Sequence, residues 1–383
     1  MNMRGTQAGA ARFAVLSIFF LTGFGFANWV VRIPAVQTNL ELGEGLLGLA
    51  LLGLAVGSLA AMPTIGGFVS RFGSRPVVWT TAIAFPIVLP LPAFADGLAG
   101  LFIALFVMGT MHGGLDVAMN AQAVAVEKEY RRPIMSSFHA FFSLGGLVGA
   151  VVGGAVAELG IGVTTHLLGA AVAIAVGMFL ACRKLLPASA DVSEGGPAFA
   201  RPTKALLGLG IISFCVLVGE GAMADWSAVY LNGTLGTGAG FAAAGFAVFS
   251  LMMTIGRFTG DWLIARFGAK ALVRLGAAVA AVGLGTSLAV GNEYAALVGF
   301  GCAGIGFSIV FPAALSAAGR SEDSAPGPAL AAVATAGYFG FLVGPPSIGF
   351  AAELLGLGGA LYIVVALSAV VVVLAGAVGE GAK

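Results

Sequence analysis

Arg71-Phe72-Gly73-Ser74-Arg75 returns as Arg266-Phe267-Gly268-Ala269-Lys270, 195 residues further along a chain of 383. Each copy is a basic turn between two long apolar runs. Two such turns half a chain apart point to two similar halves, each with a positive hairpin on the same side of a membrane. A second pair supports the duplication. Ala27-Asn28-Trp29 matches Ala224-Asp225-Trp226 at an offset of 197, almost the same as the first.

Composition sets the solvent around these runs. Hydrophobic residues make up 59% of the chain and charged residues 9%, where a soluble domain carries about 25% charged residues. A soluble protein is thereby excluded. The 60 glycines suit an apolar bundle, because small residues let helices approach closely in lipid. Cys182, Cys215 and Cys302 all lie in apolar segments and give neither a disulfide framework nor a metal cluster, so no metal or cofactor is expected. The net charge of +1 gives no reason to expect a nucleic-acid partner.

A helix crosses the hydrocarbon core with about 20 apolar residues. Twelve runs meet that length: 12–33, 43–69, 76–95, 98–126, 136–158, 163–186, 204–231, 238–265, 271–290, 293–318, 326–354 and 358–379. The run after Arg12 is long enough to span and reads as a retained first helix rather than a cleaved signal. The expected fold is an all-α integral membrane protein, with twelve transmembrane helices in two pseudo-symmetric six-helix bundles. Residues 1–186 form the first bundle and 204–383 the second. The polar segment 187–203, with Pro187, Asp191, Glu194, Pro197 and Pro202, is the cytoplasmic linker between them. With the N-terminus inside, all of the 18 Lys and Arg residues except Arg32 and Arg257 fall in cytoplasmic segments or at their helix boundaries. Both termini are therefore expected in the cytoplasm, and the location in the cell membrane, as in a bacterial inner membrane.

The repeated turn resembles the loop motif G-x-x-x-D-R-x-G-R-[RK] of the major facilitator superfamily. The first copy reads Gly67-Phe68-Val69-Ser70-Arg71-Phe72-Gly73-Ser74-Arg75, with Ser70 where the motif has Asp; Ala265 takes that place in the second copy, and Asp261 lies nearby. A narrower resemblance is to the fucose-permease-like branch. Leu115-Asp116-Val117-Ala118-Met119-Asn120 is similar to its L-E-x-A-x-N segment, and Phe307-Ser308-Ile309-Val310-Phe311-Pro312 to its M-S-I-x-[FY]-P segment. Ser137-Phe138-His139-Ala140-Phe141-Phe142-Ser143-Leu144-Gly145 is a looser match, with His139 where a cavity-facing Gln is expected. The resemblance implies alternating access and proton-coupled sugar uptake through acids in helices 1 and 4. Asp116 matches the helix 4 acid, while Arg32 stands near the helix 1 position.

Ionisable groups within membrane helices are expensive and usually face a cavity or a partner. Helix 4 places His112, Asp116 and Asn120 at i, i+4 and i+8, on one face. Asp116 reads as a proton carrier or as a structural hydrogen-bonding group between helices. His112 and His139 have an unperturbed pKa of about 6.5 and suit a proton relay or simple packing. Asn28 and Arg32 share a face of helix 1. Arg32 has three readings: a pair with Asp116 or Asp225, a ligand for an anionic solute, or an interfacial side chain snorkelling outward. Helix 7 carries Glu220, Asp225 and Trp226. Glu220 lies near mid-membrane, roughly 24 Å of helical rise from the inner end, and the flanking Gly219 and Gly221 suggest a broken helix.

Trp29 and Trp226 could stack on a sugar ring or anchor at the interface. Tyr338 offers a hydrogen bond into the cavity, and Gly344-Pro345-Pro346 reads as a kink. Arg257 and Asp261, at i and i+4, suggest a structural or gating ion pair; Arg71, Arg75 and Arg266 are gating candidates on the repeated turns. Proton coupling is assigned to Asp116, Glu220 and His112, and solute binding to Asn28, Trp29, Arg32, Asn120, His139, Asp225, Trp226 and Tyr338.

These residues suggest a monomeric, non-enzymatic secondary transporter, a proton symporter of a small polar solute such as a sugar. A proton-coupled exporter of lipophilic compounds and a non-transporting membrane sensor are the alternatives. No nucleotide-binding phosphate loop is present to drive transport with ATP.

Overall fold

The computed structural model describes residues 3–130, 134–188, 204–320 and 326–379. Among them are twelve helices long and apolar enough to cross a membrane, and no strand. They are α1 (Ala8–Asn39), α2 (Glu44–Phe72), α3 (Ser74–Phe94), α4 (Leu98–Tyr130), α5 (Met135–Glu158) and α6 (Val163–Cys182) in the first half. The second half holds α7 (Leu206–Thr234), α8 (Ala239–Phe267), α9 (Ala269–Val290), α10 (Glu293–Gly319), α11 (Pro328–Ala360) and α12 (Tyr362–Gly379). Packing among the described residues separates two units, Met1–Leu42 with Leu49–Gly195, and Gly43–Gly48 with Gly196–Lys383. Residues 189–203 of the expected linker lie outside the described residues, as do the orientation residues Arg131, Arg132, Arg201 and Lys383.

The repeated word forms the same turn twice. α2 ends at Phe72 and α3 begins at Ser74, with Gly73 between them at φ 77° and ψ 161°. α8 ends at Phe267 and α9 begins at Ala269, with Gly268 at φ 81° and ψ 145°. The Gly73 N–H donates to the Val69 carbonyl at 2.8 Å and the Gly268 N–H to the Ile264 carbonyl at 2.9 Å. A positive φ of this kind strains any residue with a Cβ, which is why glycine holds the centre of both copies.

Packing inside each unit repeats as well. α1 lies on α5 and α7 on α11; α3 lies on α6 and α9 on α12. The α1–α5 contact is made backbone to backbone: a Cβ on Gly23 would strike the Phe142 carbonyl, and one on Gly145 the Phe20 carbonyl. In the α7–α11 contact, Gly340 sits on the Phe214 carbonyl and the Val218 N–H. Apolar side chains gain little from each other in lipid, which is itself apolar, so such close van der Waals approach holds the helices together.

Two local expectations are corrected. α1 continues beyond Arg32: the chain turns at Val31–Arg32 and resumes as Ile33–Asn39, with Pro34 in the first turn, where a missing N–H is tolerated. Glu220 lies in unbroken α-helix, Lys204–Val229. Its flanking glycines serve packing, since a Cβ on Gly219 would lie 2.6 Å from the Phe307 ring and one on Gly221 3.0 Å from Phe341. Pro345 and Pro346 remain inside α11, and the backbone departs from helix at Gly356, with φ 71°.

Substituting Gly145→Val is expected to destabilise the first unit by about 1–3 kcal/mol, the usual effect of overpacking. Gly66→Val, at a site with open space around the missing Cβ, should melt close to the unmodified protein. Thermal unfolding in detergent compares the two; equal melting would reject the close-approach account of the α1–α5 contact.

Candidate functional site

Polar chemistry within the helices gathers in three places, two in the first unit and one in the second. Along α4, the Asn120 Nδ2 donates to the Asp116 carbonyl at 2.8 Å and to Asp116 Oδ1 at 3.1 Å. Four-residue helical spacing thus brings the carboxylate and the amide together, as the sequence suggests. His112, one turn earlier, lies among the rings of Phe26, Phe85 and Phe142 at centroid distances of 5.4, 5.7 and 6.4 Å. Its Nε2 is buried with no hydrogen-bond partner. His139 of α5 packs edge-on against Phe19 at 5.4 Å. Toward the C-terminal end of α4, Gln122 Nε2 donates to Ser74 Oγ at 2.7 Å and its Oε1 accepts from the Leu186 N–H at 3.0 Å. This braces α4 against Ser74, the first residue of α3.

The second place joins α1 and α6. Arg32 Nε donates to His166 Nδ1 at 2.7 Å, and Arg32 Nη2 donates to the Ile161 carbonyl at 2.7 Å. His166 Nε2 lies 2.7 Å from Asn28 Oδ1, while Asn28 Nδ2 donates to the Phe24 carbonyl at 2.8 Å. These roles are mutually consistent only for a neutral imidazole carrying its proton on Nε2: Nδ1 must accept from Arg32, and Nε2 must donate to the Asn28 oxygen. Asn28, Arg32 and His166 are 0%, 5% and 6% exposed. This geometry replaces two of the readings of Arg32. The side chain is too buried to snorkel outward, and within its own unit it bonds to His166 and a carbonyl rather than to Asp116.

His166 is the residue that sequence reasoning missed. It stands in Thr164-Thr165-His166, a polar step at the start of an otherwise apolar α6, and is the third of only three histidines. That isolated polar group at a helix start was the available signal.

The third place is in the second unit. Arg257 Nη2 of α8 lies 3.4 Å from Glu220 Oε2 of α7, and the two side chains are 14% and 16% exposed. Glu220 Oε1 is buried with no hydrogen-bond partner. The expected Arg257–Asp261 pair is therefore corrected. Asp261 is exposed, and Arg257 instead pairs across to the largely buried Glu220 carboxylate, where the lower local dielectric strengthens the attraction. Asp225, five residues beyond Glu220, is half-buried.

The remaining candidates are dispersed. Trp29 and Trp226 are 1% and 0% exposed. Both indoles are buried, so neither presents a free ring face to a sugar in this conformation. Tyr338 is half-buried beside Phe341, with ring centroids 6.3 Å apart. Arg71 and Arg266 are exposed on the two repeated turns, where Arg71 covers the Phe72 ring and Arg266 the rings of Trp262 and Phe267. Arg75 is half-buried one residue into α3. Among the described residues no group of His, Cys, Asp and Glu has the arrangement of a metal site.

A family model described as Major Facilitator Superfamily matches residues 15–321. An uncharacterized MFS-type transporter of Yersinia pestis is 36% identical over 336 residues, covering 88% of this chain and 87% of that one. Membrane protein MosC of Rhizobium meliloti is 32% identical over 94% of this chain and 88% of its own length. Among solved structures, the nucleoside transporter NupG superposes with a TM-score of 0.73 at 14% identity, over 97% of this chain and 100% of that one. The Escherichia coli fucose:proton symporter FucP superposes with a TM-score of 0.66 at 17% identity, over 97% and 98%. Both structural matches show a shared fold.

If Glu220 and Arg257 hold α7 to α8, Glu220→Gln or Arg257→Gln alone should lower unfolding stability by about 3 kcal/mol, because each leaves a buried partner uncompensated. The double variant should lose clearly less than the two single losses added together. Unfolding of the four proteins in detergent gives the coupling; strictly additive losses would show that the two side chains do not act as a pair.

Proposed function

The chain belongs to the Major Facilitator Superfamily, and on that premise we propose that it is a proton-coupled secondary transporter of a small polar solute. The observation that carries this reading is the Glu220–Arg257 pair within the second unit. A carboxylate and a guanidinium inside membrane helices are expensive unless they serve a purpose or each other. Here they meet at 3.4 Å through one carboxylate oxygen, while the other oxygen has no partner. Proton uptake by Glu220 would release Arg257, and its loss would restore the pair. That is a two-state element biased by one proton, which is what coupling requires.

Asp116 is the second proton-carrying group, oriented by Asn120, with His112 one turn away to relay. Asn28, Arg32, Asn120, His139, Asp225 and Tyr338 supply polar contacts for the solute, and Arg71, Arg75, Arg257 and Arg266 take part in gating. Trp29 and Trp226 shape the two cores. In this reading residues 1–186 and 204–383 are the two moving bundles, joined by 187–203, and they open alternately to either side of a bacterial inner membrane with both termini inside. The chain works as a monomer. A sugar-like solute accords with the polar stripe on α4, and with the nucleoside and fucose carried by two proteins that share the fold.

In proteoliposomes loaded with an imposed inward proton gradient, the solute should accumulate above its external concentration. Glu220→Gln and Asp116→Asn should abolish accumulation while leaving solute exchange across the membrane. Undiminished concentrative uptake by both variants would exclude these two carboxylates from coupling.

A further inference from the structure

We propose that Arg32 is an anion-recognition residue and that the transported solute carries a carboxylate or a group of comparable charge. This rests on the transporter reading and adds the chemical class of the solute. Arg32 is 5% exposed, yet its recorded partners are both neutral: the His166 imidazole and the Ile161 carbonyl. No carboxylate among the described residues lies within ion-pairing distance of it. The second unit shows the ordinary solution to a buried guanidinium, since Arg257 has Glu220. Arg32 has no such counter-charge, and a buried cation without one is retained at a substantial cost in stability.

The directions of its bonds say where a ligand would bind. Nε and Nη2 form one edge of the guanidinium fork, and that edge is taken by His166 and Ile161. Nη1 has no hydrogen-bond partner, and Nη2 keeps its second N–H, so the terminal edge of the fork offers two parallel donors. Two parallel donors on a planar cation match the two oxygens of a carboxylate or the oxygens of a phosphate. His166 acts as a positioning residue. Asn28 fixes its Nε2, so that Nδ1 is presented to Arg32 and the guanidinium is held in one orientation before any ligand arrives.

A cleft of about 290 Å³ adjoins this segment in the same unit. Its lining includes Val36, one turn beyond Arg32, Asn39, and Gly162, Val163, Thr164 and Thr165. The last four are the residues between Ile161 and His166, the two acceptors of Arg32, while Arg32 itself does not line the cleft.

The test uses the full chain in detergent at constant ionic strength. Melting is titrated with glucuronate, citrate and inorganic phosphate, and with the uncharged glucose and glucuronamide. Saturable stabilisation is expected from at least one anion and from neither neutral probe, and the anion that acts distinguishes a carboxylate from a phosphate site. Arg32→Gln should weaken that binding about 10- to 100-fold, the worth of charge-assisted hydrogen bonds. His166→Ala keeps the cation and removes its support, so it should weaken binding several-fold with the same anion preference, and it serves where Arg32→Gln fails to fold. Equal stabilisation by glucuronate and glucuronamide, unchanged affinity in both variants, or no saturable binding of any anion would overturn the proposal. Flux in proteoliposomes separates it from the transporter reading. Arg32-dependent anion binding without flux removes transport and leaves the anion site, whereas uptake of a neutral solute unaffected by Arg32→Gln removes the anion site and leaves transport.

Discussion

Hydrocarbon cannot solvate charge, and the arrangement of this protein's polar groups follows from that constraint. Twelve apolar helices leave few places where an ionisable side chain can be kept, so those present inside are gathered rather than scattered. In the second unit Glu220 and Arg257 neutralise each other across two helices. In the first, Arg32 is fixed by His166, which is fixed in turn by Asn28, and Asp116 is fixed by Asn120. Each group is held by a neighbour whose own orientation is specified, and such preorganisation is what a binding or coupling site needs.

The scaffold is duplicated while the chemistry is not. Both halves use the same glycine-centred turn, the same pairing of first with fifth helix and third with sixth, and a buried tryptophan at the matching place in the leading helix. The polar groups break the pattern. Asn28, which bonds to a histidine, corresponds to Asp225, and the turn that holds Glu220 in α7 corresponds to the stretch around Gly23, where α1 needs close contact with α5. Duplication therefore supplied two similar frames, and each frame acquired its own sites. Inside the helices, the glycines and tryptophans that obey the repeat serve packing, and the polar groups that depart from it are the candidates for function.

How far the sequence could be read depended on the range of the interactions involved. Span count, the repeated turns and the shared helix face of Asp116 and Asn120 rest on local periodicity, and all three are present in the structure. Helix-internal spacing misled where the decisive partner lay on another helix. Arg257 and Asp261 sit at i and i+4, yet the carboxylate that pairs with Arg257 is 37 residues away in sequence. His166 lies 134 residues from Arg32, and no spacing rule connects them. Glycines misled in a related way. Gly219 and Gly221 read as a break around Glu220, whereas tertiary contact with Phe307 and Phe341 explains them inside a continuous helix.

Arg32 shows why the departure from the related branch matters for the kind of cargo. An acid at that position in helix 1 would give the first unit a second proton-titratable carboxylate besides Asp116. An arginine held on a neutral histidine gives it a fixed cation, with one edge of the fork unused. The two arrangements cannot handle charge alike: a carboxylate can be switched by a proton, while a guanidinium remains charged throughout the accessible pH range and can be neutralised only by an anion. In the proposed function, the charge that compensates Arg32 arrives with the solute, and proton coupling is left to the carboxylates, Glu220 with its guanidinium partner and Asp116 with its amide.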